Sequence, residues 1–407
     1  MSSAPKSLRL QLALMGRVNV GKSSFLNLVT GQEIAVTSPI AGTTTDVVEK
    51  NQELQPLGPV TWLDTAGFGD STELGDKRLA KTLKVFERAD VVLLVLDSPE
   101  LLETEKLIVQ EAEKRGLPLL KIYNKADLYA APADGIAVNA LDKGSRDQVL
   151  NALKAALIGI CPEDFITPPP LLGDLLLPHE TVVMIIPIDF EAPKGRLIMP
   201  QVQALRDCLD HEQTAIVVKE NDYLRVLDNL KTPPALVVCD SQVVDQMVAS
   251  TPKEIKCTTF STLFARLKGD LEHFVEGAAA IGALQDGDKV LVAESCTHHA
   301  AEDDIGRVKI PRWLQNKTGK KLDIRFVSGR DFPADLASFK LVIQCGGCMV
   351  GRREILSRIN ICAAAGVPIT NYGICISELK GVLERILEPF PQALQTWRWK
   401  KLTQGKD

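Results

Sequence analysis

The sequence predicts a three-domain α/β protein: an N-terminal P-loop domain with a mostly parallel sheet, followed by two smaller parallel α/β domains. Three observations carry this prediction. The 407 residues exceed what one core fills, since single cores stop growing at roughly 250–300 residues. Short apolar runs alternate with helical patterns along the chain, as in parallel sheets covered by helices on both faces. Five prolines, Pro162, Pro168, Pro169, Pro170 and Pro178, interrupt that alternation, because proline neither continues a helix nor sits in a central strand.

Taken in order, LRLQLALMG from residue 8 reads as the first strand, followed by a glycine loop and a helix. Further strands end at Trp62 to Asp64, run from Val91 to Asp97, and run from Pro118 to Asn124. The first domain is expected over 1–165. In the middle domain, expected over 166–276, TVVMIIPID, TAIVVKE and PALVVCD are strands, with Gln201 to Asp210 and Ser241 to Ala249 as helices between them. The small residues of EGAAAIGALQDGD lead into the third domain, 277–407. Its strands are KVLVAE (289–294), LDIRFVSG (322–329), KLVIQ (340–344) and VPITNYG (367–373).

Composition narrows the function classes. Apolar residues at 45% and charged residues at 24% are globular values. A net charge of −5 argues against nucleic acid as a main partner, because phosphate neutralisation needs clustered Lys and Arg; Lys400, Lys401 and Lys406 read as a solvated end. Residues 1–9 lack the apolar core of a signal peptide, and no apolar run approaches the roughly 18 residues that span a bilayer. A cytoplasmic protein without membrane contact is therefore expected. Nine cysteines scattered over a long chain in a reducing compartment do not suggest a disulfide framework. Cys208, Cys239, Cys257 and Cys362 sit in apolar or helical patterns and read as small core residues.

The strongest motif is Gly16-Arg-Val-Asn-Val-Gly21-Lys22-Ser23, which fits G-x-x-x-x-G-K-S/T between a strand and a helix. Its glycines let backbone N–H groups close on phosphates, and the helix adds its positive end. Lys22 would reach the β- and γ-phosphates, and the Ser23 hydroxyl would bind Mg²⁺. The candidate contacts in this loop are Gly16, Asn19, Val20, Gly21, Lys22, Ser23 and Ser24. Asp64-Thr-Ala-Gly67 follows a strand, where Asp64 can hold Mg²⁺ through water and the Gly67 N–H can sense the γ-phosphate. Asn124-Lys125-Ala-Asp127 ends another strand. The acceptor-only carboxylate of Asp127 can take both N–H groups on guanine's edge but would face an acceptor on adenine. The nucleotide is expected to be GTP or GDP.

Between these motifs, Ala41-Gly42-Thr43-Thr44-Thr45-Asp46 resembles switch I of the Era and TrmE branch of GTPases. The resemblance implies that Thr44 is a Mg²⁺ ligand, alongside Lys22, Asp64 and Gly67 in the catalytic set. It also implies that Asn19 binds an activating K⁺, which can stand where an arginine finger would stabilise transition-state charge. Phe68 follows Gly67 where Ras-like enzymes place a water-orienting glutamine, so slow intrinsic hydrolysis is expected, with Glu73 as a candidate substitute. Asn139 and Ala140 stand where the family usually has Ser-Ala, and are candidates for the guanine-facing loop.

In the third domain, Glu294-Ser-Cys296-Thr-His298-His299 follows one strand and Gln344-Cys345-Gly-Gly-Cys348 follows another. Residues at the carboxyl ends of parallel strands meet in the crevice where open α/β sheets bind ligands, so Cys296 can approach Cys345 and Cys348. The residues alone leave three readings open: a redox pair, a structural zinc, or an iron–sulfur cluster.

Cys296-Thr-His298 and Cys345-Gly-Gly-Cys348 behind such a GTPase domain, with Pro193-Lys-Gly-Arg-Leu-Ile-Met-Pro200-Gln-Val-Gln between them, resemble the HydF family of FeFe-hydrogenase maturation proteins over essentially the whole chain. The resemblance implies a 4Fe-4S cluster on Cys296, Cys345 and Cys348. It implies a homodimerising middle domain, a scaffold or carrier role for a transient diiron precursor, and apo-hydrogenase and radical-SAM maturases as partners. Gln344 occupies the family's second histidine position, so the fourth ligand falls to His298, His299, Glu302, Asp303 or an exchangeable water; His298 is the candidate carried forward. The helix beginning near Met349 would point its positive end at the cluster. Tyr372 and Gly373 read as the close of a neighbouring strand and are candidates to line the same crevice, with a packed core position the favoured role for Tyr372. The rival readings are an Era- or TrmE-like GTPase of ribosome assembly or tRNA modification with a structural zinc, and an iron–sulfur electron-transfer protein regulated by its GTPase domain.

Overall fold

The structure is a computed structural model, and it describes residues 9–31, 48–65, 84–166, 169–188, 197–295, 304–329, 332–347 and 350–404. The chain divides into two compact units, one up to residue 168 and one from residue 169. In the first unit the strands are β1 (Leu10–Met15), β2 (Val48–Leu54), β3 (Gly58–Asp64), β4 (Val91–Leu96), β5 (Leu119–Tyr123) and β6 (Gly135–Ala137). They form one sheet in the order β2-β3-β1-β4-β5-β6. Only β2 runs antiparallel, against β3. Among the described residues, the helices of this unit are α1 (Lys22–Thr30), α2 (Glu103–Lys114), α3 (Arg146–Ile160) and the short α4 (Glu163–Ile166).

All six residues of β1 and of β4 are buried, because a central parallel strand is covered on both faces and so reads as a continuous apolar run. Leu12 and Leu14 pack with Phe25 of α1 and Leu153 of α3, while Ala13 and Met15 meet Ile108 and Ala112 of α2 on the other side.

The second unit carries two four-stranded, wholly parallel sheets. The first contains β7 (Thr181–Ile185), β8 (Thr214–Val218), β9 (Leu236–Cys239) and β10 (Lys256–Thr259) in the order β10-β9-β7-β8. The second contains β11 (Lys289–Glu294), β12 (Asp323–Ser328), β13 (Leu341–Gln344) and β14 (Ile369–Asn371) in the order β12-β11-β13-β14. Around them lie α5 (Met199–Asp210), α6 (Tyr223–Asn229), α7 (Val244–Ser250), α8 (Phe260–Lys268), α9 (Leu271–Ala279), α10 (Ile310–Thr318), α11 (Arg352–Ala364), α12 (Tyr372–Leu379), α13 (Leu383–Ile386) and α14 (Pro391–Gln404). Cys208, Cys239, Cys257 and Cys362 are fully buried. Burial pushes the Cys208 and Cys362 thiols up to about 12 and Cys257 up to about 11, so these are inert core residues.

Several elements differ from the sequence reading. The strands β2, β6 and β10 were not expected; β2 is a half-exposed edge without an apolar run. VPITNYG does not end in a strand: only Ile369–Asn371 is extended. Tyr372 and Gly373 open α12, because the Asn371 side chain accepts the Ile374 N–H at 2.9 Å and caps the helix. The helix after the cysteine motif starts at Arg352, and Met349 lies outside the described residues. Small residues around the expected 276/277 boundary belong to α9, which packs against α14 and β14. One apolar cluster runs from Leu171 through Phe264 and Phe274 to Phe390, so the middle and last sheets share a core.

Candidate functional site

The phosphate loop is shaped by backbone conformations that few residues adopt. Gly21 caps α1 with φ 96°, and a Cβ there would stand 2.1 Å from Asn124 Nδ2. Only glycine meets both conditions. Asn19 is exposed and left-handed, with φ 63°. Lys22 Nζ donates to the Gly16 and Arg17 carbonyls at 2.9 and 2.8 Å, which holds the ammonium inside the loop. Burial lowers the Lys22 pKa to about 8 against the opposing pull of Asp64. Burial likewise raises Asp64 to about 6, again opposed by its partner Lys22. Asp64 Oδ1 is buried without a hydrogen-bond partner. An acceptor left unmade at a strand end and electrostatically coupled to Lys22, with the half-buried Ser23 beside Lys22 in sequence, fits a water-bridged Mg²⁺. Ser24 is also half-buried in the first turn of α1.

Asn124 joins the two halves of the nucleotide site. Its Nδ2 donates to the Val20 carbonyl at 2.8 Å, and its Oδ1 accepts the Ala140 N–H at 3.0 Å. Thus the base-side loop is tied to the phosphate loop by one buried amide. Asp127 is exposed on the loop after β5, and Asn139 Oδ1 accepts the Leu141 N–H at 3.2 Å. The sequence reading missed a charged network beside these loops. Asp97, one residue past β4, accepts from Arg17 Nη2 at 2.5 Å and from Lys125 Nζ at 2.9 Å. Arg17 Nε also donates to Glu105 Oε1 at 2.7 Å. Burial opposes ionisation of Asp97, but Lys125 and Arg17 outweigh it and its pKa is lowered. The only signal in the sequence was an acidic residue at a strand end.

In the last sheet, β11 and β13 are adjacent and parallel, with Ala293 opposite Gln344. Their carboxyl ends converge, and the Ser295 N–H points at Cys345 Sγ across 3.2 Å. Ser295, which precedes Cys296 in sequence, thus stands at Cys345. An amide N–H aimed at a sulfur stabilises a thiolate, and Lys268 Nζ, on the Gly347 carbonyl at 3.1 Å, brings positive charge to the same loop. Both features fit a negatively charged thiolate-ligated cluster. Gln344 is 1% exposed with Oε1 unpartnered, and shares strand parity with the core residue Val342. Burial, then Cys345, Glu294 and Asp304, push the Tyr372 phenol far above its ordinary value, so it is a donor at neutral pH. Thr44, Gly67, Phe68, Glu73, Cys296, His298, His299, Glu302, Asp303 and Cys348 lie outside the described residues. Among the described residues, no group of three or more His, Cys, Asp or Glu side chains stands together as a metal site.

Comparison with known proteins bears on each part of the chain. Residues 11–125 match the 50S ribosome-binding GTPase family model. Curated relatives of this part are tRNA modification GTPases MnmE: that of Burkholderia ambifaria is 38% identical over 30% of this chain and 27% of its own length. That of Chromobacterium violaceum is 36% identical over 37% of this chain and 34% of its own. The chain therefore spans only about a third of the length of these relatives. Among solved structures, an Aquifex aeolicus Era bound to GDP.AlF4- is similar at 20% identity and a TM-score of 0.29, covering 53% of this chain and 97% of that one. Residues 171–269 match the hydrogen maturase F dimerization domain, and residues 272–389 match the hydrogen maturase F tetramerization domain. With two of its own domains matched in succession behind a GTPase domain, over more than half of the 407 residues, the chain belongs to the hydrogen maturase F family.

Proposed function

We propose that the protein is a GTP-hydrolysing scaffold and carrier in the assembly of the FeFe-hydrogenase active site. It holds a 4Fe-4S cluster on Cys296, Cys345 and Cys348 and hands a diiron precursor to the apo-hydrogenase. The observation that carries this reading is the contact of the Ser295 N–H with Cys345 Sγ. It brings Ser295, the residue before Cys296, to Cys345 at the carboxyl ends of neighbouring parallel strands, the usual ligand position of such sheets. His298 is the protein side chain assigned to the fourth iron.

In the first unit, Gly16, Val20, Gly21 and Ser24 offer backbone to the nucleotide, Lys22 neutralises the phosphates, and Ser23, Thr44 and Asp64 hold Mg²⁺ directly or through water. Gly67 senses the γ-phosphate. Asp127, with Lys125 and the Asn139–Ala140 loop, selects guanine. K⁺ on Asn19 supplies transition-state charge stabilisation. Hydrolysis should therefore be faster in K⁺ than in Na⁺, and Asn19→Ala should erase the difference; equal rates in both salts would refute this assignment. The functional division is 1–165 for GTP, 166–276 for homodimerisation and 277–407 for the cluster. The partners are the hydrogenase and the radical-SAM maturases, in the cytoplasm.

Anaerobic reconstitution of the full chain with iron and sulfide, followed by EPR of the reduced protein, tests the reading. A signal of one 4Fe-4S cluster per chain is expected. Uptake of one zinc and no iron would instead favour an Era-like GTPase with a structural metal.

A further inference from the structure

Four strand ends of the last sheet carry side chains at one level. The registers place Glu294 opposite Ser328, Ala293 opposite Gln344, and Gln344 opposite Asn371. One residue past the ends of β13 and β14 come Cys345 and Tyr372, the latter the first residue of α12. Across the order β12-β11-β13-β14, the row is therefore Ser328, Glu294, Cys345, Tyr372. Tyr372 packs against the apolar cluster that includes Val290 and Ile343, which fixes the face on which the row lies.

The side of the row away from Cys345 is bonded. Glu294 Oε2 accepts from Arg307 Nη2 at 2.9 Å and from Ser328 Oγ at 3.0 Å, so the carboxylate is anchored. The half that flanks Cys345 is not bonded: Glu294 Oε1 and the Tyr372 hydroxyl are both buried without a partner. Thr370, two residues before Tyr372, leaves its Oγ1 unpartnered as well. Native interiors leave few such groups unmade. Nor is the phenol loosely placed. A Cβ on Gly306 would come within 2.1 Å of its oxygen, so the segment after β11 closes on the hydroxyl and only glycine fits. An unmade donor on one side of Cys345 and an unmade, anchored acceptor on the other call for a common explanation.

We propose that Tyr372 and Glu294 are positioning residues that set the reduction potential of the cluster held by Cys345: the Tyr372 O–H, unpartnered by any side chain among the described residues, is a donor to a sulfide of the cluster, and the Glu294 carboxylate is a fixed negative charge on the opposite side. This rests on the assignment of Cys345 as a cluster ligand. Hydrogen bonds to cluster sulfurs and nearby charge are the protein's means of adjusting such potentials. A donor stabilises the more negative reduced form; a carboxylate disfavours it. The two side chains therefore act with opposite sign, and the potential reflects their balance.

The test uses the full chain reconstituted anaerobically with iron and sulfide, as wild type, Tyr372→Phe and Glu294→Gln. Iron content, thermal midpoint and an EPR-monitored redox titration are read for each. Tyr372→Phe, which keeps the ring, should retain wild-type iron content and lose about tenfold in the reduced-to-oxidised ratio at fixed potential, a shift of about 59 mV to the negative for a one-electron couple. Glu294→Gln should shift the couple to the positive. If Glu294→Gln fails to fold, Tyr372→Phe alone decides. Unchanged potentials at full iron content overturn the proposal while leaving the cluster site standing, as does a shift of both variants in one direction. A wild-type chain that takes up no iron removes the cluster assignment and this proposal together.

Discussion

Asn124 commits both ends of its amide to backbone groups that lie far apart in sequence, Val20 on the phosphate loop and Ala140 on the base loop. Truncation to Ala would leave a buried carbonyl and a buried N–H unmade, at about 1–3 kcal/mol each. Asn124→Ala should therefore weaken GTP binding by at least about tenfold, since tenfold is only about 1.4 kcal/mol; unchanged affinity by calorimetry would contradict the bridging role. Asp64 allows a pH test. Its folded pKa of about 6 lies above the ordinary 3.8, so the folded chain holds more protons than the unfolded one between these values. Stability of the nucleotide-free protein should accordingly fall as pH rises from about 4 to 6, by on the order of 3 kcal/mol at 1.36 kcal/mol per unit. Lys22 has the reverse sense, because its folded value of about 8 lies below 10.5; it contributes rising stability above pH 8. Thermal midpoints against pH should show the acid-side fall in wild type and its absence in Asp64→Asn; parallel curves would exclude Asp64 as the cause.

At the scale of the element, α9 shows how composition can mislead. Its glycine and alanines resemble a linker, yet the helix runs unbroken from Leu271 to Ala279. The small residues are there because the helix lies close on β14: a Cβ on Gly277 would fall 2.0 Å from the Ile369 carbonyl oxygen. Alanine favours a helix over glycine by about 1 kcal/mol, but overpacking against a backbone atom costs about 1–3 kcal/mol. The clash should win. Gly277→Ala is expected to lose up to about 2 kcal/mol in urea unfolding, and a stabilised variant would show that α9 can move off the strand. By contrast, β1 and β4 were plain in the sequence, because strands covered on both faces must be continuously apolar. The edge strand β2 and the short β6 were not, since an edge has no burial to impose a pattern.

For the whole molecule, the division between residues 168 and 169 places the phosphate loop and Cys345 in units with separate cores. Lys22→Ala should abolish GTP hydrolysis while the reconstituted cluster keeps its iron and EPR signal. Cys345→Ser should do the reverse, because a serine hydroxyl is a harder and far less acidic ligand than a thiol. Loss of both properties in either variant would show that the two units depend on each other for folding.

The sequence by itself determined the α/β class, the phosphate and guanine motifs in their order, and the ends of β11 and β13, with Cys345 just past the second. Those features are local: a glycine loop before a helix, or a residue closing an apolar run, can be read within a window of about ten residues. Tertiary structure alone decided that Asn124 spans the nucleotide site, that Arg17 and Lys125 share Asp97, and that Glu294 and Tyr372 flank Cys345. Hydrophobic pattern tells which residues face inward but not which strands lie side by side. Strand order and register are settled by long-range packing, and they choose the partner of every polar side chain at a sheet's edge.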